Sequence, residues 1–287
     1  MLHQWHGTIE LIQRALAEDE VMADPTTALL PPDLPGRSVM VAKDFGVLAG
    51  VEIALEVFCQ MDPSVQCEAS VSDGAGLKPG QELATIEGRL DGILRAERTA
   101  INFVQRMSGI ATATHALVQA VVGTKAIIID TRKTMPGWRL LDKYAVRMGG
   151  GRNHRMNLAD GVLIKDNHIV AAASMGMGLT EFVRKARADS SHTIRVEVEV
   201  ETVEQAREAL EGGADILLLD NMGVATMRQV VAMCKGRAST EASGGITLET
   251  VREVAETGVD LISSGNITHS VKALDISLDT SPNPLAS

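Results

Sequence analysis

The chain has 287 residues, 45% of them hydrophobic but only 2% aromatic, and a formal net charge of −10. That length fits one large α/β domain, or a barrel with a smaller domain, around a core of Ala, Val, Ile, Leu and Met. An acidic chain poor in aromatics gives nucleic acid neither a basic face nor stacking platforms, and no apolar run approaches membrane-spanning length, so neither partner is expected.

The opening Met1-Leu-His-Gln-Trp-His lacks the pattern of a signal peptide. Three cysteines, Cys59, Cys67 and Cys234, form no Cys-x-x-Cys pair and are odd in number, which suits a reducing cytoplasm rather than a disulfide frame. The stretch from Val39 to Gly50 predicts a β-hairpin. Pro79-Gly80 marks a turn before a strand that reaches Ile86, and Gly92 to Met107 carries helical periodicity. Ser108-Gly109 reads as a break, which sets an α+β domain over 1–109.

From residue 126 a strand–helix alternation repeats. Strands are expected at 126–130, 161–164, 194–200, 216–219, 239–243 and 261–263, and helices at 138–148, 179–188, 202–211, 224–234 and 248–257. Short apolar strands alternating with helices imply a parallel sheet with helices outside it. About six or seven such units predict a closed parallel α/β barrel, smaller than a full eightfold one, over 110–269, with 270–287 packing back on the first domain. A doubly wound sheet is the alternative, but no Gly-x-Gly-x-x-Gly turn follows the first strand. Ser281–Ser287 reads as a frayed tail.

Each strand is followed by polar chemistry. In order these are Thr131-Arg132-Lys133-Thr134, then Lys165-Asp166-Asn167-His168, Glu199, Asp220-Asn221, Ser243-Gly244-Gly245 and Ser264-Gly265-Asn266. Parallel barrels place their sites at this C-terminal rim. The last two rims carry glycines, which let backbone N–H groups approach an anion closely, so a phosphate is expected there. Glu199 and Asp220 lie on neighbouring strands and could hold Mg²⁺ directly or through water. Glu197 shares a strand face with Glu199 and is expected deeper. Residues 130–169 hold eight Lys/Arg against four Asp, an excess suited to gathering an anionic ligand. Arg139, Lys143 and Arg147, spaced i, i+4, i+8, read instead as one solvated helical face. His154 reads as a hydrogen-bonding or cationic group, and His168 as a supporting or core residue.

These residues resemble a known family. Asp130-Thr-Arg-Lys-Thr-Met-Pro-Gly-Trp, Gly149-Gly-Gly-Arg-Asn-His-Arg and Leu163-Ile-Lys-Asp-Asn-His resemble the quinolinate phosphoribosyltransferases, the decarboxylating nicotinate-nucleotide pyrophosphorylases. Ala96-Glu-Arg-Thr, Val196-Glu-Val-Glu-Val, Leu219-Asp-Asn-Met, Ala242-Ser-Gly-Gly-Ile and Ile262-Ser-Ser-Gly-Asn-Ile-Thr-His extend the resemblance over nearly the whole chain. The departures are Trp138, where Leu is usual, Asn266, where a small residue is common, and an 18–27 stretch without the family's glycines.

The resemblance implies an N-terminal α/β sandwich beside an incomplete barrel, in a cytoplasmic homodimer, or a hexamer built from dimers. One subunit's first domain would cap the other's site. It implies phosphoribosyl transfer from 5-phosphoribosyl-1-pyrophosphate to quinolinate, with decarboxylation, in NAD biosynthesis. Arg98, Arg132, His154, Arg155 and Lys165 would hold the two pyridine carboxylates. Lys133, Glu199 and Asp220 would serve pyrophosphate, ribose and Mg²⁺ as the catalytic group. Ser243, Gly244, Gly245, Gly265 and His269 would hold the 5′-phosphate. A molybdenum-linked paralogue group and a catalytically silent metabolite-binding barrel are the competing readings. The first departs from this family at Lys-Asp-Asn-His, which stands intact here.

Overall fold

The computed structural model of the chain describes residues 6–31 and 33–282. The opening residues before His6 and the tail beyond Pro282 lie outside them. Two compact units form, one from residues up to 113 with 136–150 and 271 onward, the other from 114–135 with 151–270.

The first unit holds helices α1 (His6–Glu18), α2 (Val51–Met61), the start of α3 (Leu90–Ala120) and α4 (Arg139–Met148). Its strands are β1 (Pro35–Ala42), β2 (Gly46–Val47), β3 (Gln66–Ala69), β4 (Gly76–Leu77), β5 (Glu82–Arg89) and the terminal β12 (Ile276–Pro282). An antiparallel sheet runs in the order β12-β1-β5-β3, so the C-terminal strand lies against β1.

Several sequence expectations need correction in this unit. The hairpin over 39–50 does not form: β1 pairs with β5 and β12, whereas β2 pairs with β4. The reason lies at β2. Val47 gives its N–H to Thr112 Oγ1 at 2.9 Å rather than to β1, and a Cβ on Gly46 would come within 2.6 Å of that same oxygen. The helix itself is not interrupted at Ser108-Gly109, since α3 runs on to Ala120. A Cβ on Gly109 would sit 2.2 Å from the Lys272 carbonyl oxygen, so this glycine serves close backbone approach, not helix termination. The three-cation face of α4 is not solvated throughout, because Lys143 is 1% exposed. Beside it the wholly buried Asp142 accepts from Arg106, whose guanidinium lies over the Trp138 ring, which in turn stacks on Phe103 at 4.6 Å. Trp138, one of the sequence departures, therefore fills an aromatic stack that Leu could not make. Helix α4 also groups with the first unit although its sequence lies among the barrel strands.

The second unit contains β6 (Ile127–Ile129), β7 (Val162–Ile164), α5 (Asp166–Ser174), α6 (Leu179–Asp189), β8 (Val196–Val200), α7 (Val203–Gly212) and β9 (Ile216–Asp220). It continues with α8 (Val224–Cys234), β10 (Ser239–Ser243), α9 (Val251–Ala255), β11 (Leu261–Ser263) and α10 (Asn266–His269). Thr202 caps α7 through its hydroxyl, and Gly213, at φ 89°, ends it. All pairings in the sheet are parallel, in the order β6-β11-β10-β9-β8-β7. Read as a circle, that order is consecutive, with one seam between β6 and β7. It is an incomplete barrel, since a doubly wound sheet would place its first strand inside the sheet.

Alternate residues of each strand, such as Val198, Leu219, Ala242 and Ile262, are wholly buried on the helix-facing side. The intervening positions place Glu197, Glu199, Asp220, Glu241 and Ser243 on the barrel's inner side. In the register Glu199 and Glu241 each pair with Leu218, from β8 and β10, and Ser243 pairs with Asp220.

Candidate active site at the barrel mouth

The ends of the parallel strands enclose a cavity of about 590 Å³, with Arg132, Lys133, Arg155 and Lys165 in its wall. His154, Glu199, Asp220, Ser243, Gly244 and Gly245 complete the expected residues that line it. Rims distant in sequence thus meet in one place.

The first rim is set by Asp130, 0% exposed at the end of β6. Its carboxylate accepts the His154 N–H at 2.8 Å and the Asn153 side-chain amide at 2.6 Å, tying the Asn-His-Arg segment to the barrel. Arg155 follows. Its Nη1 donates to the Gly161 carbonyl at 3.2 Å. Burial holds the Arg155 pKa below its ordinary value, and the adjacent Arg132 guanidinium lowers it further. Arg132 carries a buried Nε with no hydrogen-bond partner. Two arginines that repel each other, one with an unmatched donor, favour an anion between them.

At the end of β7 Lys165 Nζ stands 3.0 Å from Glu199 Oε2 on the neighbouring β8. The expected loop at 165–168 is the start of α5, and His168, exposed and outside the core, accepts the Lys165 N–H on Nδ1 at 2.9 Å. The ring fixes the backbone from which Lys165 extends.

The glycine rims differ in construction. Gly244 has φ 90°, and a Cβ there would lie 2.1 Å from Asn221 Oδ1. Asn221, itself left-handed at φ 52°, donates its side-chain amide to Asp220 Oδ2 at 2.9 Å. Gly244 therefore lets the β9 and β10 rims touch. At Gly265 a Cβ would meet both Lys133 Cδ and His269 Cδ2 at 3.0 Å, so these two expected ligands flank one glycine. The Thr268 hydroxyl donates to the Lys133 carbonyl at 2.7 Å and locks the two rims together. Arg98 belongs to the first unit, exposed on α3.

Glu199 and Asp220 offer hard carboxylate oxygens at an open rim, which fits Mg²⁺ completed by water and substrate oxygens. Below them Glu197 and Glu241 lie 5% and 1% exposed, grouped with His154 within 4.8 Å. Burial, and then the Glu197 charge, hold the Glu241 carboxyl well above the usual carboxylate range. Sequence reasoning anticipated Glu197 only as a deeper residue and missed Glu241. Its sole trace was an acid inside a predicted strand.

The fold and site define an α/β-barrel enzyme with a cavity lined by Arg132, Lys133, Arg155 and Lys165 at its C-terminal rims. Residues 110–279 match the C-terminal domain of quinolinate phosphoribosyl transferase, and residues 24–108 match its N-terminal domain. A probable nicotinate-nucleotide pyrophosphorylase (carboxylating) of Bacillus subtilis is 43% identical over 94% of this chain and 92% of its own. A mitochondrial quinolinate phosphoribosyltransferase (decarboxylating) of Nicotiana glauca is also 43% identical, over 96% of this chain and 83% of its own. Among solved structures, a NadC deletion mutant matches with a TM-score of 0.90 at 38% identity over 96% of both chains. The nicotinate-nucleotide pyrophosphorylase of Francisella tularensis gives 0.89 at 37%, over 96% of both chains. The chain belongs to the quinolinate phosphoribosyltransferase family.

Proposed function

We propose that the barrel mouth binds quinolinate and 5-phosphoribosyl-1-pyrophosphate side by side, the first at Arg132, Arg155 and Lys165, the second at the glycine rims. The chain catalyses the family's reaction, which gives nicotinate mononucleotide, pyrophosphate and CO₂ in NAD biosynthesis. The observation that carries the substrate assignment is the Arg132–Arg155 pair with its unmatched buried donor. Quinolinate is a planar dianion, and guanidinium forks suit planar carboxylates.

The chemistry follows from where charge must go. The pyridine nitrogen attacks the ribose C1 carbon, whose bond to the pyrophosphate oxygen breaks. Lys133 and Lys165 supply positive charge beside the departing oxygens and the carboxylates. Mg²⁺, held by Glu199 and Asp220, would neutralise part of the pyrophosphate charge. The bond from C2 to its carboxylate breaks, CO₂ leaves, and the electron pair stays on C2. The adjacent cationic nitrogen stabilises that pair until a proton replaces the CO₂. Ser243, Gly244, Gly245, Gly265 and His269 serve the 5′-phosphate through N–H groups, a hydroxyl and an imidazole.

Arg98 fits this scheme as a visitor. On an exposed helical position of the first unit, it would complete the quinolinate pocket of a second copy, in a homodimer with composite sites or a hexamer of such dimers. The cytoplasm is the proposed compartment, in keeping with three free cysteines. In the described residues no helix is long and apolar enough to cross a membrane.

Thermal melting of ligand-free protein with each pyridine acid tests the assignment. Quinolinate should raise the midpoint at concentrations where nicotinate does not. Equal shifts from both would remove the two-carboxylate reading.

A further inference from the structure

The floor of the mouth carries buried acids that these binding roles leave unused. Glu197 and Glu241 each have a buried Oε1 without a hydrogen-bond partner. Their other oxygens converge on a single atom: Oε2 of Glu197 is 3.3 Å, and Oε2 of Glu241 3.7 Å, from His154 Nε2. On the far edge of the ring, Nδ1 accepts the Arg155 N–H at 2.7 Å. The imidazole is thus a strut between two buried acids and the backbone of Arg155.

Glu241 also stands in the wall between two cavities. A second cavity of about 400 Å³ is lined by the strands' first residues, among them Val162, Ile216 and Leu261, at the end opposite the mouth. It shares His154, Arg155 and Glu241 with the mouth cavity. An apolar pair would close this wall without the cost of burying two neighbouring carboxyls. Orientation of the ring accounts for that cost: the partner on one imidazole nitrogen fixes what the other nitrogen does.

We propose that Glu197 and Glu241 are positioning residues for quinolinate. Acting through the His154 ring, they set the height at which the Arg155 guanidinium meets a pyridine carboxylate. The inference rests on the reading that Arg155 holds quinolinate.

The sign of the effect separates positioning from bulk electrostatics. If charge alone mattered, losing an acid beneath an anion site would tighten quinolinate, or leave it unchanged where the carboxyl is already protonated. Positioning requires the reverse. The test measures kcat and both KM values for Glu241→Gln and Glu241→Leu, alone and in a His154→Asn background, with Arg155→Ala as reference. Glu241→Leu is expected to raise the quinolinate KM about tenfold, the scale of one lost charge-assisted contact. The phosphoribosyl pyrophosphate KM stays unchanged, and Glu241→Gln, which can still accept from the ring, keeps most of the wild-type value. In the His154→Asn background either substitution adds less than about twofold, because both act through the same ring.

An unchanged or lowered quinolinate KM, or full additivity with His154→Asn, overturns the proposal. Should Glu241→Leu fail to fold, Glu197→Leu in the same cycle decides the question. If Arg155→Ala leaves the quinolinate KM unchanged, the Arg155 reading fails. If it raises the KM while the glutamate variants do not, only the positioning role fails.

Discussion

Lys165 and Glu199 meet at 3.0 Å at the ends of the neighbouring strands β7 and β8, with the lysine half exposed and the glutamate 13% exposed. The pair joins two proposed sites, quinolinate on the lysine side and the ribosyl donor on the glutamate side. An ion pair this open contributes at most about 1 kcal/mol to stability, so Glu199→Gln should leave the melting midpoint nearly unchanged. Its catalytic cost is larger. Losing a carboxylate that serves the metal and ribose should lower kcat by roughly 30-fold or more, about 2 kcal/mol. Quinolinate affinity should hold or improve, since Lys165 is released. A melting curve, a kcat and a quinolinate titration together check the three expectations.

Arg155→Ala removes one charge-assisted contact to a carboxylate, worth roughly 1.5–3 kcal/mol. At about 1.4 kcal/mol per tenfold, quinolinate affinity should fall about 10- to 150-fold. Phosphoribosyl pyrophosphate should bind as before, since its 5′-phosphate sits at the glycine rims. Arg155 also donates to the Gly161 carbonyl. If bracing that loop were its main role, both ligands would weaken together and the melting midpoint would fall, which separate titrations and a melt would reveal.

Much of this site was legible because a parallel barrel collects whatever follows its strands. Lys165 and Asp220 each stand directly after a short apolar run, Arg132 and Ser243 stand at the ends of β6 and β10, and these rims meet in one cavity as that rule requires. Glu241 was not legible. It lies in the middle of Ser239–Ser243, and no local pattern says that an inner-facing acid there meets Glu197 and a histidine nearly ninety residues upstream. Lys143 failed for a different reason. Cations at i, i+4, i+8 look the same whether their helix meets water or buried neighbours, and only packing distinguishes the two. Ser108-Gly109 carries the chemistry of a break, yet the same glycine lets the chain at Lys272 approach α3.

Gly244→Ala tests the glycine rim. The residue has φ 90°, where a side chain is strained, and the new Cβ would strike the Asn221 amide oxygen. A loss of more than about 1 kcal/mol in stability is expected. Phosphoribosyl pyrophosphate affinity should fall further than quinolinate affinity. Parallel titrations against a denaturation curve measure both.

Composite sites predict complementation. An Arg98→Ala chain mixed with a Lys133→Ala chain should regain part of the activity that each lacks alone, because a mixed dimer contains one intact pocket. Demonstrated mixed dimers without recovery would place Arg98 in its own subunit's site.

The central claim is that this barrel takes the dicarboxylate and removes one carboxylate during transfer. Its most direct measurement uses quinolinate labelled in the C2 carboxylate, incubated with the purified protein, Mg²⁺ and phosphoribosyl pyrophosphate. Labelled CO₂ should appear in equal amount to nicotinate mononucleotide and pyrophosphate, and nicotinate offered in place of quinolinate should give almost no product. Nucleotide formed from nicotinate at a comparable rate, or formed from quinolinate without release of the label, would contradict the account.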